Sequence, residues 1–254
     1  NNHMGIFSYF SKENRHRRRL EGNIRRANNR HTPKDYRQAA LYEVMDEARK
    51  GDPVAIAGLL ARFSIIAEPS IEDEKEKEWV SETLIQIGDR ARPHVCRALR
   101  SAESVNWVQR ILRNTVSKDE YRDELLSVLN DFDTEYERNP DREMQTIMAL
   151  GEIVEEPVTR ALLRFLEDVN ETVRFQTVVA LAHHGNELAR EPLLKTMCED
   201  ESLRVRNQAI ESFADLSWST SGYKKKIPDL LPDGYKHDGS GKIVKLGKTG
   251  HPSV

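Results

Sequence analysis

Apolar residues recur at spacings of three and four along most of the chain, the pattern of helices that bury one face. In the C-terminal half, Ile147, Leu150, Leu162, Phe165 and Leu166 follow this spacing. One helical pair cannot bury such a stripe alone, so neighbouring pairs must stack on it. The pattern predicts an all-α fold built from stacked helical pairs.

The C-terminal half also repeats itself. Residues 173–182 align with residues 205–214, and residues 145–151 align with the last seven residues of both segments. The matching glutamines Gln145, Gln176 and Gln208 lie 31 and 32 residues apart, a period in the range of helical repeat proteins. Each repeat is predicted to be a helix, a short turn and a second helix.

The predicted turns contain glycine and proline where helix ends favour them. Gly151 and Gly185 follow the apolar run of a first helix, so each is expected to end that helix in a left-handed conformation. Pro157 and Pro192 stand near the start of a second helix, where a missing N–H costs nothing.

Upstream the pattern is weaker but persists. Residues 84–99 keep the order helix, glycine, proline, helix, and residues 51–60 fit the turn and second helix of a first pair. Ser117 and Glu120 have the spacing of a capping box, which predicts a helix start. About six pairs are expected, the last incomplete.

At this point the chain resembles the HEAT-repeat superfamily, in particular the bacterial HEAT-like repeats of the phycobilisome-lyase type. The resemblance covers roughly residues 35–216 and is strongest from about residue 140. It implies a right-handed α-α superhelix of the HEAT/armadillo type, in which Arg174 and Arg206 pair with a carboxylate at the preceding turn and join adjacent repeats. The matching residues are Asp168, Val173, Arg174, Ala180, Leu181 and Gly185, and again Asp200, Val205 and Arg206.

Charge is distributed unevenly along the chain. The formal net charge is −3, but residues 1–37 sum to +7, residues 217–254 to +4 and the segment between them to −14. We therefore expect a basic N-terminal arm or helix over residues 1–34, a HEAT-like repeat domain over 35–216 and a short, basic, non-helical tail over 217–254. In the tail, residues 235–246 could form a hairpin around the turn at residues 238–241 and dock on the last repeat.

The sequence lacks the residues that several classes of function require. No apolar run approaches the roughly 20 residues that span a membrane, and no apolar leader segment follows the basic start. Cys96 and Cys198 lie far apart in apolar helical patterns, so both are expected to be small buried hydrophobes in a reducing cytoplasm. His183 and His184 lack the partners of a metal site. With no catalytic triad, carboxylate pair or phosphate loop, we expect no enzyme, cofactor, metal or small-molecule substrate.

The candidate partner surface is the exposed side of the second helices, which line the concave face in stacks of this kind. The predominantly basic ridge expected there would suit an acidic peptide, an acidic helix or a phosphate backbone. The alternative is a solvated charged face with internal pairs such as Arg160 with Glu167. The ridge residues are His94, Arg97, Arg160, Arg164, Lys195 and Glu199.

The N-terminal arm places aromatic residues ahead of a cluster of arginines. Three interpretations stay open: a helix that caps the first repeat, a contact with an anionic inner membrane surface or a partner helix, and a contact with nucleic acid. The arm residues that would make such contacts are Phe7, Phe10, Arg15, Arg17, Arg18, Arg19, Arg25 and Arg26.

The main functional hypothesis is a non-catalytic scaffold that docks a protein partner on the concave face, assisted by the basic arm. The alternative is a nucleic-acid-binding HEAT-like protein related to DNA alkylation repair glycosylases, for which Trp79, Trp107 and Trp218 are available to contact a base. A third hypothesis is a subunit similar to bilin lyases, resting on the resemblance alone.

Overall fold

The computed structural model describes residues 3–102, 105–138, 140–222 and 227–246, with side chains from residue 12 onward. These residues form twelve α-helices and one two-stranded sheet, so the all-α, HEAT-like class of fold is confirmed. The chain divides into two compact units, residues 1–121 and 122–254. No helix in the described segments is long and apolar enough to cross a membrane.

The first unit is built from helical pairs preceded by one long helix. Helices α2, α4 and α6 lie side by side, α3 and α5 pack together against this row, and α1 packs on α2 and α3. The helices are α1 (His3–Ala27), α2 (Lys34–Arg49), α3 (Pro53–Ala61), α4 (Ser70–Ile87), α5 (Arg92–Ser101), α6 (Asn106–Thr115) and α7 (Lys118–Leu129), which continues past residue 121.

The second unit has the same two-layer arrangement. Helices α8, α10 and α12 form one layer, and α9 and α11 form the other. Its elements after α7 are α8 (Pro140–Gly151), α9 (Glu156–Leu162), which a 3-10 turn extends over Leu163–Glu167, α10 (Glu171–His184), α11 (Arg190–Glu199), α12 (Leu203–Asp215), β1 (Tyr235–His237) and β2 (Ile243–Lys245).

Polar side chains begin several of these helices. The carboxylate of Asp52 accepts from the first backbone N–H groups of α3, and the side chains of Asn170 and Ser202 do the same for α10 and α12. The capping box predicted at α7 is confirmed, because the Ser117 hydroxyl accepts from the Glu120 N–H while the Glu120 carboxylate accepts from the Ser117 N–H.

The two glycines predicted to end first helices play different roles. Gly185 has φ of 59° in the left-handed region and ends α10 as expected. The prediction for Gly151 is wrong, because Gly151 is the last residue of α8 and does not have a positive φ. A Cβ there would lie 2.9 Å from the Cβ of Ala180, so Gly151 is required for close packing of α8 on α10.

We expect Gly151→Ala to lower the stability of the chain by about 1 kcal/mol, because an overlap costing about 1–3 kcal/mol outweighs the better helix propensity of alanine. Adding Ala180→Gly would remove the overlap and give a positive coupling in a double-mutant cycle by thermal unfolding. Gly22→Ala in α1 is the control, since a Cβ at Gly22 meets nothing within 4 Å and is expected to stabilise. Equal effects at Gly151 and Gly22 would contradict the packing role.

Arginines join neighbouring repeats in the second unit. Arg174 donates to the backbone oxygen of Asp168 at 2.9 Å and pairs with the Asp200 carboxylate through two hydrogen bonds of 2.8 and 3.1 Å. Arg206 donates to the backbone oxygen of Asp200 at 3.0 Å. The expected joining role is confirmed for Arg174, although its partner carboxylate belongs to the following turn and the preceding turn contributes carbonyl oxygens. The bond of Arg206 goes to a carbonyl oxygen of the preceding turn and not to a carboxylate.

The first unit contains a buried ionic network that joins α2, α4 and the turn after α3. The Glu76 carboxylate accepts from Arg37 at 2.9 and 3.0 Å and from Arg62 at 2.8 Å. Arg62 also donates to Asp73, which pairs with Lys77 at 2.7 Å. All five side chains are buried. Because buried charges are tolerated only when they are paired, the network restricts how these helices pack.

The segment after α12 forms a hairpin that lies on that helix. Strand β1 pairs antiparallel with β2 around residues 238–242. Ile243 is buried, and Lys245 pairs with Glu211 and Asp215 of α12 at 3.2 and 2.7 Å. Residues 223–226 and 247–254 of the predicted tail lie outside the described residues.

The two cysteines differ in burial. Cys198 is buried, as expected of a small hydrophobe, whereas Cys96 is partly exposed on α5, so the prediction of a buried side chain is wrong there. Cys96 lies beside the buried stripe of α5 that contains Val95 and Leu99.

Candidate functional site

The second unit has a wide surface groove on its α9 and α11 layer. Its volume is about 1090 Å³ between the 3-10 turn after α9 and helix α11, and Gly222 also lines it. The groove is lined by Leu163, Arg164, Leu166, Glu167, Glu191, Pro192, Lys195, Thr196, Glu199, Asp200 and Gly222.

Helix geometry explains which side chains reach the groove from α11. Glu191, Lys195 and Glu199 are four residues apart and therefore project from one face of the helix, all three exposed. Thr196 is buried beside them, and its hydroxyl donates to the backbone oxygen of Pro192 at 3.1 Å. The opposite wall contributes Leu166, which is buried. The groove therefore has an apolar floor and a charged rim.

Both cations of the groove already have partners. The Lys195 ammonium contacts the Glu167 carboxylate across the groove at 2.6 Å, and this hydrogen bond raises the pKa of Lys195. Arg164 donates to the backbone oxygen of Leu129 at 2.7 Å, and its guanidinium lies 4.4 Å from the centre of the Phe165 ring. The charge of Lys195 is therefore paired with a carboxylate, whereas Arg164 is held by a carbonyl oxygen and an aromatic ring.

The balance of charge in the groove is acidic. Its lining contains two cations, described above, and four carboxylates, those of Glu167, Glu191, Glu199 and Asp200. Asp200 is neutralised by Arg174 from α10. The lining is therefore not predominantly basic, because Arg164 and Glu167 balance on one wall and the carboxylates of α11 outnumber Lys195 on the other.

The structure brings three of the six predicted partner residues together. Arg164, Lys195 and Glu199 line the groove. Arg160 is exposed on α9 and pairs with Glu156 at 2.7 Å, so the expected pair with Glu167 is wrong, since Glu167 contacts Lys195 instead. The other two residues belong to α5 in the first unit, where His94 is partly exposed and Arg97 is exposed.

Helix α1 contains the predicted arm contacts. Its buried side chains, Leu20, Asn23 and Ala27, face α2 and α3. Arg17, Arg19 and Arg26 bond to Asp52, Glu43 and Asn23 at 3.5, 2.8 and 3.1 Å, and Arg15, Arg18 and Arg25 are exposed. The side chains of Phe7 and Phe10 lie outside the described residues.

The three tryptophans considered for base recognition pack against other aromatic rings. Trp79 stacks on Tyr42 with ring centres 5.3 Å apart, and Trp107 stacks on Phe63 at 5.6 Å. Trp218 is buried and meets Phe213 edge to face at 5.6 Å. These contacts give all three rings a structural role.

The two histidines at the end of α10 bond to the preceding repeat. His183 Nδ1 lies 2.9 Å from the backbone oxygen of Gly151, and buried His184 lies 2.8 Å from the Thr159 hydroxyl. Burial lowers the pKa of His184, which favours its neutral form. In the part of the chain that the structure describes, no three His, Cys, Asp or Glu side chains are grouped as metal ligands.

A buried carboxyl pair joins α8 to the turn before α10. Glu143 and Asp168 are both buried and interact. Burial, followed by the nearby charges of Asp168 and Glu137, raises the pKa of Glu143 to about 8, and burial also raises the pKa of Asp168. The alignment of the repeats indicates this unusual position. Glu143 stands two residues before Gln145, and the residue two before Gln176 and two before Gln208 is an arginine.

Comparison with known protein families agrees with this architecture. The family model of HEAT repeats matches residues 122–214, which contain both groove walls, the 3-10 turn after α9 and helix α11. No curated protein matches the chain. HEAT repeats generally act as protein-interaction modules. The stacked helical pairs of the second unit, the bonds of Arg174 across them and this match identify residues 122–214 as HEAT-type repeats.

Proposed function

We propose that this chain is a non-catalytic scaffold that docks a segment of a partner protein in the groove between the α9 extension and α11. The observation that carries the proposal is the groove itself, an open surface with an apolar floor and a charged rim inside the segment that matches HEAT repeats. Its volume of about 1090 Å³ is at or above the upper end of the usual range for small-molecule sites, roughly 300–1,000 Å³. A peptide segment suits these dimensions better than a small substrate.

The polar groups of the groove support binding rather than catalysis. Lys195 contacts Glu167, Asp200 contacts Arg174, and the Thr196 hydroxyl donates to a backbone carbonyl of its own helix. Nucleophilic catalysis needs a nucleophile bonded to a general base, and the described lining residues do not form such a pair. Their arrangement favours orientation of a bound chain.

In this proposal the N-terminal helix α1 has a structural role. Leu20, Asn23 and Ala27 bury one face of α1 against α2 and α3, which is how a terminal helix protects the exposed core of a repeat array. Arg15, Arg18 and Arg25 remain exposed along α1 and are proposed as secondary contacts for the partner. In this proposal the buried face of α1 caps the repeats, and its exposed basic face contacts the partner.

Site-specific photo-crosslinking tests the docking surface. A photoreactive amino acid at Glu191, on the groove rim, is expected to give a discrete adduct in cells that naturally produce the chain. The same amino acid at Val179, exposed on α10 in the other layer, is the matched control and is expected to give none. Equal adducts at both positions, or an adduct at Val179 alone, would place the partner elsewhere.

A further inference from the structure

We propose that the segment of the partner that contacts α1 is an acidic helix, which packs across the exposed face of α1 at Gly22. This inference rests on the proposed docking function, in which α1 is a secondary contact, and adds the chemistry of that contact. Two observations support it: arginines surround Gly22, and this glycine stands where no contact within the described residues requires one.

Gly22 lies among four arginines on the surface of α1. The surface neighbours of a helical residue are those three and four positions away along the chain. At Gly22 all four of these positions hold exposed arginines, and they form the arginine cluster of α1: Arg18, Arg19, Arg25 and Arg26. Arg18 and Arg25 are separated by about 10 Å along the helix axis, so the cluster spans two turns.

Three arginines of the cluster contact no carboxylate among the described residues. Arg18 and Arg25 form no hydrogen bond or ion pair within this part of the chain. Arg26 donates to the amide oxygen of Asn23 at 3.1 Å, and an amide carries no charge. Such guanidinium groups are open to the carboxylates of a partner, which they can bind through two parallel hydrogen bonds.

Acidic residues near the arginine cluster offset its charge only in part. Arg19 pairs with Glu43 of α2 at 2.8 Å, and Glu21 places one exposed carboxylate beside the cluster. Four arginines against these two carboxylates leave a net charge of +2. Glu47 and Asp52 also contact α1, but at residues 16 and 17, more than one helical turn before Gly22. The charge that a partner meets at Gly22 is therefore positive.

Gly22 occupies the interior of a 25-residue helix, where glycine is less favourable than alanine. A Cβ at this position would meet nothing within 4 Å, so packing within the described residues does not require a glycine. At Gly58 of α3, by contrast, a Cβ would lie 2.8 Å from Ile24 of α1. The missing side chain at Gly22 leaves the backbone of α1 accessible, which lets a second helix approach closely.

An acidic helix fits these features better than a phosphate backbone or a membrane. Glutamates three, four or seven residues apart on one helix can reach arginines of the same spacing on both sides of Gly22. A phosphate backbone needs no glycine, because long arginine side chains reach its oxygens, and Glu21 would repel it. Insertion into a membrane needs apolar side chains, and the exposed residues of α1 between positions 12 and 26 are all polar or charged.

The test uses the full chain and three fluorescently labelled alanine-rich peptides of equal length, which carry glutamate, glutamine or lysine on one helical face. Fluorescence anisotropy measures their dissociation constants. The glutamate peptide is expected to bind at least about tenfold more tightly than the glutamine peptide, and added salt should reduce this difference. A single-stranded oligonucleotide and vesicles of anionic phospholipid are added as competitors at equal negative charge. Both are expected to displace the labelled glutamate peptide less effectively than its unlabelled form does.

Matched charge-neutralising variants locate the binding. Arg18→Gln combined with Arg25→Gln is expected to weaken binding of the glutamate peptide about tenfold. Arg113→Gln combined with Lys118→Gln removes the same charge from exposed positions of α6 and α7, and is expected to change the affinity less than twofold. Equal losses in both double variants would show attraction to any exposed cation and overturn the inference.

A variant at Gly22 tests the close approach separately from charge. Gly22→Leu keeps every charge and is expected to weaken binding of the glutamate peptide at least about tenfold, because its side chain separates the two helices. Asn14→Leu places the same side chain at an exposed position eight residues earlier on α1, and is expected to change the affinity less than twofold. Thermal unfolding checks that both variants fold. Unchanged affinity in Gly22→Leu would overturn the packing of a helix at this position.

The remaining outcomes separate this inference from the docking function. Equal binding of the glutamate and glutamine peptides, or stronger competition by the oligonucleotide or the vesicles, overturns the acidic helix. A partner that is captured at position 191 and lacks an acidic helix does the same while leaving docking in the groove in place. If position 191 gives no adduct but the glutamate peptide still binds through Arg18 and Arg25, docking in the groove fails and the charge preference of α1 stands.

Discussion

Replacing Glu76 with glutamine is expected to lower the free energy of unfolding by about 3–5 kcal/mol. Glu76 is 0% exposed and its carboxylate accepts three hydrogen bonds, two from Arg37 and one from Arg62. Glutamine retains the shape but removes the charge. Buried Arg37 then loses the carboxylate that it contacts, and Arg62 keeps Asp73, which it shares with Lys77. The five-residue network already contains three cations and two carboxylates and becomes more positive.

A neighbouring exposed ion pair provides the control. Glu78 lies on the same helix and pairs with Arg110 at 2.5 Å, but both side chains are nearly half exposed. Glu78→Gln should therefore cost less than about 1 kcal/mol. Denaturant unfolding followed through Trp79 and Trp107, the tryptophans of the first unit, measures both variants. A cost at Glu76 no greater than that at Glu78 would mean that the buried network contributes nothing.

The network also predicts a loss of stability in acid. Burial raises the pKa of Glu76, but hydrogen bonds from Arg37 and Arg62 outweigh it, so the net pKa lies below its ordinary value of 4.5. A lowered pKa in the folded state contributes stability above the unfolded pKa, and that stability is lost as the pH falls through the folded value. The unmutated chain should lose more stability than Glu76→Gln when the pH falls below about 4.5.

The helices and their ends could be read from the sequence because both depend on local chemistry. A spacing of three and four sets the buried face of a helix wherever it packs, and Asp52, Asn170 and Ser202 cap helices through N–H groups two or three residues away. The resemblance to HEAT repeats came from the same local spacing. The confirmed family match covers the part where the repeats are most regular.

The buried network was not predictable in the same way. Glu76 is 39 residues from Arg37 and 14 from Arg62. Its place four residues before Val80 puts it on the buried face of α4, but the local pattern does not indicate which distant cations it meets there. Gly151 shows a related limit, since a glycine at the end of an apolar run fits both a left-handed helix end and a close helix contact. The distance to Ala180 decides between them, and that distance depends on how two repeats pack.

The net charge of the groove could not be inferred from its basic residues, because the charge of one side chain does not determine the charge of its surroundings. Arg164 and Lys195 are basic residues on exposed faces, as predicted, but their partners come from other turns of the chain. Lys195 is 28 residues from Glu167, and Arg164 is 35 residues from Leu129. Residue type and helix face could be inferred from the sequence, whereas the net field depends on which turns meet across the groove.

Replacing Glu143 with glutamine is expected to stabilise the chain at pH 9 by on the order of 3 kcal/mol and to have little effect near pH 5. Residue 143 stands where Arg174 and Arg206 stand in the next two repeats, so the arginine that would face a carboxylate is replaced here by a second acid. Glu143 faces Asp168, is 0% exposed, and has its pKa raised to about 8. The neutral acid is therefore the form that folding favours.

The pH dependence follows from that raised pKa. In the unfolded chain Glu143 ionises near its ordinary value of 4.5, whereas in the folded chain it keeps its proton up to about pH 8. Stability from the neutral form is fully present below pH 4.5 and is lost as the pH rises through 8. The nearby charges of Glu137 and Asp168 add to this loss, and Arg164 reduces it. Glutamine remains neutral throughout, so the variant should not show this part of the loss.

Chemical unfolding at pH 5, 7 and 9 measures the free energy of unfolding of the unmutated chain and of Glu143→Gln. In the difference between these two free energies, the contributions of all other titrating groups cancel to first order. The same comparison for Glu152→Gln, an exposed glutamate of the same unit, is expected to show no trend with pH. Fluorescence of Trp218 follows the second unit directly. If Glu143→Gln destabilises the chain equally at all three values, the carboxyl pair is ionised in the folded chain or held by another partner. If the stabilisation by Glu143→Gln grows with pH, the folded chain keeps a proton on Glu143, at the position that arginine occupies in the next two repeats.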